Sequence, residues 1–380
     1  MTAWPGRWPF GLLALLVLGT LVFAPRTGAS AVFSWEDAGS LAVPRAYAKA
    51  LRLATGEVLI FGGMDAADPR VSNDTTELFD PWAGRSTVLP QRLPGRVQHS
   101  ATSVWGDRVV IAGGSEWYGD HWEVMDRVDV FRVSTREWVA ARPMLHRRTG
   151  HGATALLDGR VLVAGGYDGP RLIATVEIYD PRTDRWTDAR PLPLPRGDFT
   201  MATLPDGRVL VAGGLEGKDS LVAHRALLYD PLRDRWTDGG PQIGDRVLHT
   251  SVTLANGDVL LIGGQRSGSN TAERYDVRTH RFLYAGALVE PRMLGSAAAL
   301  PDGRVLLVGG LPVLEGPRDF TPSALAELWD PATNRWEDAP ADLVPRVKGQ
   351  LVPTDVGLLE LTGAGAGEQA VKSVERFFAR

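Results

Sequence analysis

The stretch GRVLVAGGYDGPRLIATVEIYDPRTDRWTDA, residues 159–189, decides the fold. Its first apolar run, residues 161–164, stops on Gly165-Gly166. A second run, 175–179, stops on Asp180-Pro181, and a third opens at Arg185-Trp186-Thr187. Short apolar runs bounded by Gly and Pro punctuation read as strands. A strand that ends on two adjacent glycines needs close backbone packing or a left-handed bend there. Upstream, Asp158-Gly159 follows a further strand at 152–157, and the device recurs at Asp206-Gly207, Asn256-Gly257 and Asp302-Gly303. Such dipeptides predict type I′ hairpin turns, in which both central residues have positive φ. The unit is a four-stranded antiparallel meander.

The unit repeats. Gly-Gly pairs stand at 62–63, 113–114, 165–166, 213–214, 263–264 and 309–310, 46 to 52 residues apart, with a worn seventh copy at Gly363-Ala364. Seven third-strand signatures accompany them, at 77–79, 129–131, 177–179, 227–229, 273–275, 327–329 and 375–377. A period near 50 residues without helical intervals predicts a β-propeller. The chain stops at Arg380, just past the seventh signature, so the last blade lacks a fourth strand. Trp35-Glu36-Asp37-Ala38 resembles Trp186-Thr187-Asp188-Ala189 and supplies it. Pairing the two ends closes the ring and removes an open edge. The expectation is an all-β, seven-bladed propeller over 32–380, its last blade closed by the N-terminal strand near Trp35.

Composition excludes several function classes. The chain has no cysteine, which rules out disulfides, thiolate metal sites and a cysteine nucleophile. A net charge of −4 shows no footprint for nucleic acid. Of 41 basic residues only those at 49, 218, 348 and 372 are lysine, so abundant arginine reflects composition rather than function. At the N-terminus, Arg7 precedes an uncharged stretch, 8–25, and Ala29-Ser30-Ala31 forms a small-x-small cleavage site. Residues 1–31 are expected to be a secretory signal peptide or, alternatively, an uncleaved membrane anchor. Either way the chain is expected to be exported, to the periplasm, the cell surface or the medium.

The Gly-Gly after the second strand, the aromatic before Asp-Pro and the tryptophan five or six residues beyond that aspartate resemble the kelch motif across roughly residues 35–380. The match is fullest in VLVAGG…EIYDPRTDRW, VLVAGG…LLYDPLRDRW and VLLVGG…ELWDPATNRW. It departs in repeat one, with Ser86-Thr87-Val88, and in repeat five, with Arg281-Phe282. The resemblance implies a seven-bladed kelch propeller of the galactose-oxidase-like superfamily. The copper chemistry of those oxidases depends on a tyrosine cross-linked to cysteine, and this chain cannot supply it. Sialic-acid mutarotases are exported kelch propellers too, although nothing beyond the repeat maps onto them residue by residue. A mutarotase requires only an acid and a base near a hemiacetal.

An arginine lies 17 residues before the first glycine of every pair: Arg45, Arg96, Arg148, Arg196, Arg246, Arg292 and Arg346. Meander topology gathers these arginines and the loops after Gly-Gly at one mouth of the channel. Two readings stand. Each guanidinium ties its blade together through carbonyls or a third-strand acid such as Glu177 or Glu273. Alternatively, a subset holds an anionic partner, as arginines near this position do in kelch interaction domains. The loop SEWYGDHWEVMDR crowds Trp117, Tyr118, His121 and Trp122 into six residues, which suits protein hot spots or sugar stacking unless some fold inward over the channel. The loop 311–326 carries Arg318, Asp319 and Phe320. Asp65, Asp68 and Asp74 offer carboxylates, but their spacing matches no calcium loop. His99, His151 and His249 come from separate blades, so packing suits them better than a shared metal. No hydrolase elbow, zinc helix or phosphate loop is present. The expected function is a binding module for a protein or polysaccharide on the arginine-bearing face, with no catalytic residue, metal or cofactor and no nucleic acid, acting as a monomer. A mutarotase-like carbohydrate enzyme and a structural cell-surface module are the alternatives.

Overall fold

A computed structural model of the chain describes residues 33–65, 68, 70–313 and 320–379. Residues 1–31, expected to be a signal peptide or anchor, and Arg318 and Asp319 lie outside the described residues. Within them the structure is all β apart from one 3-10 turn, Ala366–Glu368. Each repeat forms a meander. Blade 3 comprises Gly152–Ala155, Val161–Ala164, Val176–Asp180 and Arg185–Ala189, paired in sequence order. Equivalent four-stranded sheets start at Lys49, Ser100, Thr200, Thr250 and Ser296, as blades 1, 2, 4, 5 and 6. Blade 7 takes Gln350–Thr354, Gly357–Leu361 and Ser373–Ala379 from the C-terminus. Its outer strand is Phe33–Ser40, antiparallel to Ser373–Ala379 with Trp35 opposite Phe377. Ring closure through the N-terminal strand is therefore as the sequence predicts.

Both glycines of each pair have positive φ, and the blade junction explains why. The N–H of the second glycine donates to the carbonyl of the next blade's arginine: Gly63 to Arg96 at 3.0 Å, Gly114 to Arg148 at 2.9 Å, and so on to Gly310 and Arg346. The seventh such bond, Gly363 to Arg45 at 3.1 Å, joins the last blade to the first. The first glycine lies under the same carbonyl; a Cβ on Gly113 would sit 2.5 Å from the Arg148 oxygen. At that distance a Cβ forces the carbonyl to move, so glycine is favoured there.

The core lies between blades. Second strands such as Val161–Ala164 are buried on both faces and read as unbroken apolar runs. Val161, Val163, Tyr179 and Trp186 of blade 3 pack on Val110, Ala112 and Val130 of blade 2. Where the fourth strand carries a tryptophan, it ties its blade to the one before: the indole N–H of Trp186 donates to Arg142 O at 2.9 Å and that of Trp336 to Ala285 O at 2.9 Å. Trp35 does the same for blade 7, donating to Pro340 O of blade 6 at 2.8 Å.

Two expectations are corrected. The Asp-Gly hairpins are not type I′ turns, because only their glycine is left-handed: Gly159 has φ 82° and Asp158 is absent from the positive-φ positions. Gly159 N–H donates to Leu156 O at 2.9 Å, so a longer turn ends on a left-handed glycine bulge. The worn seventh pair is also shifted by one residue. Thr362, at φ 60°, and Gly363 occupy the pair's places, and the Arg346 guanidinium donates to Thr362 O at 3.2 Å. The spacing in that repeat is 16 residues rather than 17.

Blade 7 also buries Glu360 where blade 3 has Val163. Its carboxyl lies 3.8 Å from Arg346, whose charge is already matched by Glu375. Burial pushes Glu360 well above the usual carboxylate range, and the nearby Asp342 adds to the rise while Arg346 opposes it. A raised carboxyl contributes stability below its unfolded pKa and loses it as pH rises through the folded one. Glu360→Gln is therefore expected to melt higher than the parent at neutral pH and to lose that advantage near pH ~4, as scanning calorimetry at the two pH values will show.

Candidate functional site

All seven candidate arginines, Arg45, Arg96, Arg148, Arg196, Arg246, Arg292 and Arg346, are buried, at 0 to 2% exposure. Arg148 donates to Gly165 O at 2.8 Å, Thr175 O at 2.9 Å and Glu177 at 2.6 Å. Arg45 with Glu77, Arg246 with Glu273 and Arg292 with Glu327 repeat the pattern at 2.5 to 2.8 Å. Arg96 pairs with Asp129 and Arg346 with Glu375. In blade 4, Leu227 replaces the third-strand acid, and Arg196 turns to Glu216 in the following loop. The acid also receives the segment that leads into the arginine: Glu177 accepts the Leu145 N–H at 2.6 Å and the His146 N–H at 3.1 Å. These guanidiniums are buried and direct their hydrogen bonds into their own blades, which favours the structural reading of the ring.

The mouth itself is built two residues further on. Tyr47, Gln98, Gly150, Asp198, Leu248, Leu294 and Lys348 all have φ between 50° and 59°. Left-handed non-glycine residues are uncommon and concentrate where a structure is held for a task. Backbone bonds run between them from blade to blade: Gly150 to Gln98 and Asp198 to Gly150 at 3.2 Å, Leu294 to Leu248 and Lys348 to Leu294 at 2.9 Å. Below this collar the first strands enclose a channel of about 550 Å³, within the range of small-ligand sites. Lys49, Ser100, Gln350 and Lys348 line one side of it. Sequence reasoning passed over Lys49 and Lys348. The available signal was that two of only four lysines fall at or just before the start of a first strand.

The three histidines pack between blades. His151 Nε2 lies 2.9 Å from Ser100 Oγ and His249 Nε2 2.7 Å from Thr200 Oγ1, each across a blade boundary. His99 sits edge-on to Phe61 with ring centroids 5.5 Å apart. Burial and the adjacent arginines pull His151 and His249 down to about 3, so both are neutral in ordinary conditions. Among the described residues no three of His, Asp or Glu are placed to hold a metal ion. Asp68 is bound to Arg70 at 3.0 Å and Asp74 to Arg92 at 2.5 Å.

The blade-2 loop leaves the rim as a two-stranded ribbon, with Ser115–Trp117 paired to Trp122–Val124 around a turn at Gly119, φ 74°. Ser115 also pairs with Val97, which anchors the ribbon beside Arg96. Trp117 and Trp122 meet edge to face at 5.5 Å, and Tyr118 stacks on His121 at 6.4 Å. None of the four covers the channel. Tyr118 is 52% and Trp122 37% exposed; Trp117 is half-buried and His121 is exposed, bonded to Asp120 at 2.6 Å. Beside the ribbon a groove of about 750 Å³ is lined by Asp65, Asn73, Asp74, Arg92, Glu116 and Tyr118. The ribbon lay hidden in the sequence because its strands are three residues each, too short for a period to show.

A search of curated proteins finds no match. Among solved structures, a fungal alcohol oxidase of the AA5 family in complex with copper aligns over 92% of this chain and 76% of its own, at TM-score 0.73 and 19% identity. A structure titled "Structure of YjhT" aligns over 75% of this chain and 95% of its own, at TM-score 0.59 and 18% identity. At such identities the likeness concerns the fold. The oxidase's copper does not transfer: this chain has no cysteine, and its described His, Asp and Glu residues form no ligand set. The family model of the KLHDC2/KLHL20/DRC7 Kelch-repeats domain matches residues 48–264 and the Kelch motif matches 246–286. With more than half its length under that match and the kelch Gly-Gly pair at six blade junctions, the chain belongs to the kelch-repeat β-propellers.

Proposed function

We propose that this propeller is an exported binding module that captures a protein partner on the rim formed by the blade-2 ribbon and the adjoining groove. Kelch domains generally mediate protein interactions, and the fold is compatible with that use. The observation that carries the reading is the ribbon: Trp117, Tyr118, His121 and Trp122 are held by each other and by strand pairing, yet remain accessible. Rigid exposed aromatics lose little entropy on binding and are the residue types that dominate interface energetics. The partner's chemistry follows from charge. Residues 115–126 carry Glu116, Asp120, Glu123 and Asp126 with no lysine or arginine, so a basic segment with an apolar anchor is the complementary surface. Export rests on the apolar run at 8–25.

Display selection of peptides on the folded protein tests this. The selected peptides are expected to be rich in Lys, Arg and apolar residues. A Tyr118→Ala/Trp122→Ala variant is expected to bind them at least ~10-fold more weakly with an unchanged melting temperature. Equal binding by the variant, or capture of neutral glycans in place of peptides, overturns the proposal.

A further inference from the structure

The channel lining carries two ammonium groups against a single carboxylate. Lys49 begins the innermost strand of blade 1, at a position where the other blades carry Ser100, Gly152, Thr200, Thr250, Ser296 and Gln350. Lys348 stands on the collar of the neighbouring blade 7, its ammonium 5.1 Å from the Tyr47 ring. No ion pair joins either lysine to a carboxylate among the described residues, whereas every ring arginine has one. The one acid of the channel lining, Asp198, is on blade 4; it accepts the Tyr167 hydroxyl at 2.8 Å and attracts the Lys348 ammonium through space without pairing with it. The histidines between them are neutral, so they add no charge to the site. Both lysines are part-buried on the channel wall, where an ammonium without an ion-paired carboxylate is held at a cost that a bound anion offsets.

We propose that the Lys49–Lys348 side of the channel is a binding site for a small oxyanion, with Gln98, Ser100 and Gln350 hydrogen-bonding to its neutral part. The two ammonium groups give the attraction and point-charge contacts. The amides and hydroxyl offer both donors and acceptors to whatever the anion carries. The Tyr47 ring fixes Lys348 from one side through a cation–π contact. A cavity of about 550 Å³ admits an organic anion of metabolite size and excludes a folded partner. Burial pulls the ammonium of Lys49 down, and the charge of Lys348 adds to that effect; the opposite charge of a bound anion works against both. This site is separate from the ribbon and its groove, and its occupancy does not depend on the protein-binding proposal.

Titration calorimetry on the whole chain with succinate and, separately, inorganic phosphate tests the site, with glycerol as the neutral control. At least one anion is expected to bind, and to bind more weakly as salt is raised. The two arms distinguish carboxylate from phosphate as the preferred group. Lys49→Met and Lys348→Met are each expected to weaken binding ~10-fold or more. Lys49→Met is also expected to melt higher than the parent without ligand, since it removes an uncompensated charge, and to lose the anion-induced rise in melting temperature. Two outcomes overturn the proposal: no binding of either anion at ~10 mM, some tenfold above a weak 1 mM site, or parental affinity in both variants. A Lys49→Met variant that melts lower than the parent also overturns it, because the lysine then has a structural partner. Tyr118→Ala/Trp122→Ala is expected to bind the anion normally, which separates failure here from failure at the rim.

Discussion

Arg148→Met is expected to destabilise the propeller by about 3–5 kcal/mol, the cost of stranding one half of a buried pair. Glu177 is wholly buried and its carboxylate holds three donors, of which the guanidinium is the only cation. Methionine keeps the packing of the arginine stem but gives nothing to Gly165 O or Thr175 O. Against a total stability of roughly 5–15 kcal/mol this is a large fraction. Arg196→Met is the internal comparison. Its partner Glu216 is 23% exposed, so water takes over part of the lost contact and the loss is expected to be smaller. Arg148→Met/Glu177→Leu is expected to recover much of the loss, because the uncompensated carboxylate leaves with its partner. Denaturant titration orders the three. If Arg148→Met and Arg196→Met lose the same amount, the third-strand acid is not what holds the blade.

The second large effect is at the seam. A chain lacking residues 33–40 is expected to aggregate instead of unfolding cooperatively. The deletion strips blade 7 of its outer strand, bares the edge of Ser373–Ala379 and uncovers Phe377, on which Phe33 stacks at 4.9 Å. It also removes Trp35 from a cluster with Leu306, Leu328 and Leu358 that joins blades 6 and 7. Trp35→Ala alone is expected to cost about 3–5 kcal/mol, as for other buried aromatics. A synthetic peptide of residues 33–40 added during refolding is expected to restore soluble protein. A soluble, cooperatively melting deletion variant shows that six blades and a partial seventh suffice. The same geometry limits any processing of the N-terminus, since cleavage beyond Phe33 cuts into the closing strand.

Much of the fold was legible because the repeat states it many times over. One Gly-Gly pair is weak information, but six at nearly one period, each ending an apolar run, specify blades and their order. Trp35 was readable for the same reason, as a fourth strand without the other three. The slips came where geometry is decided within a few residues. Asp158-Gly159 is compatible with two hairpin turns, and the strand ends alone do not choose between them. At Thr362-Gly363 a one-residue deletion moves the pair, and a non-glycine accepts the left-handed backbone.

The candidate site was less legible. The arginine periodicity identified a sevenfold feature, and its regularity argued for structure; the buried acids Glu77, Asp129, Glu177, Glu273, Glu327 and Glu375 account for it. The aromatic cluster at 117–122 was visible as composition, although only ribbon pairing shows that its rings stay outside the channel. Lys49 and Lys348 carry no local motif.

By itself the sequence determined the class of fold, the number and order of repeats, and the junction that closes them, because glycine, proline and strand periodicity act within a few residues of where they stand. Tertiary structure alone decided which charged groups are spent on the scaffold and which face the channel. That division depends on distances between blades some 50 residues apart in the chain, where a lysine with no acid beside it and an arginine with one look alike until the ring is closed.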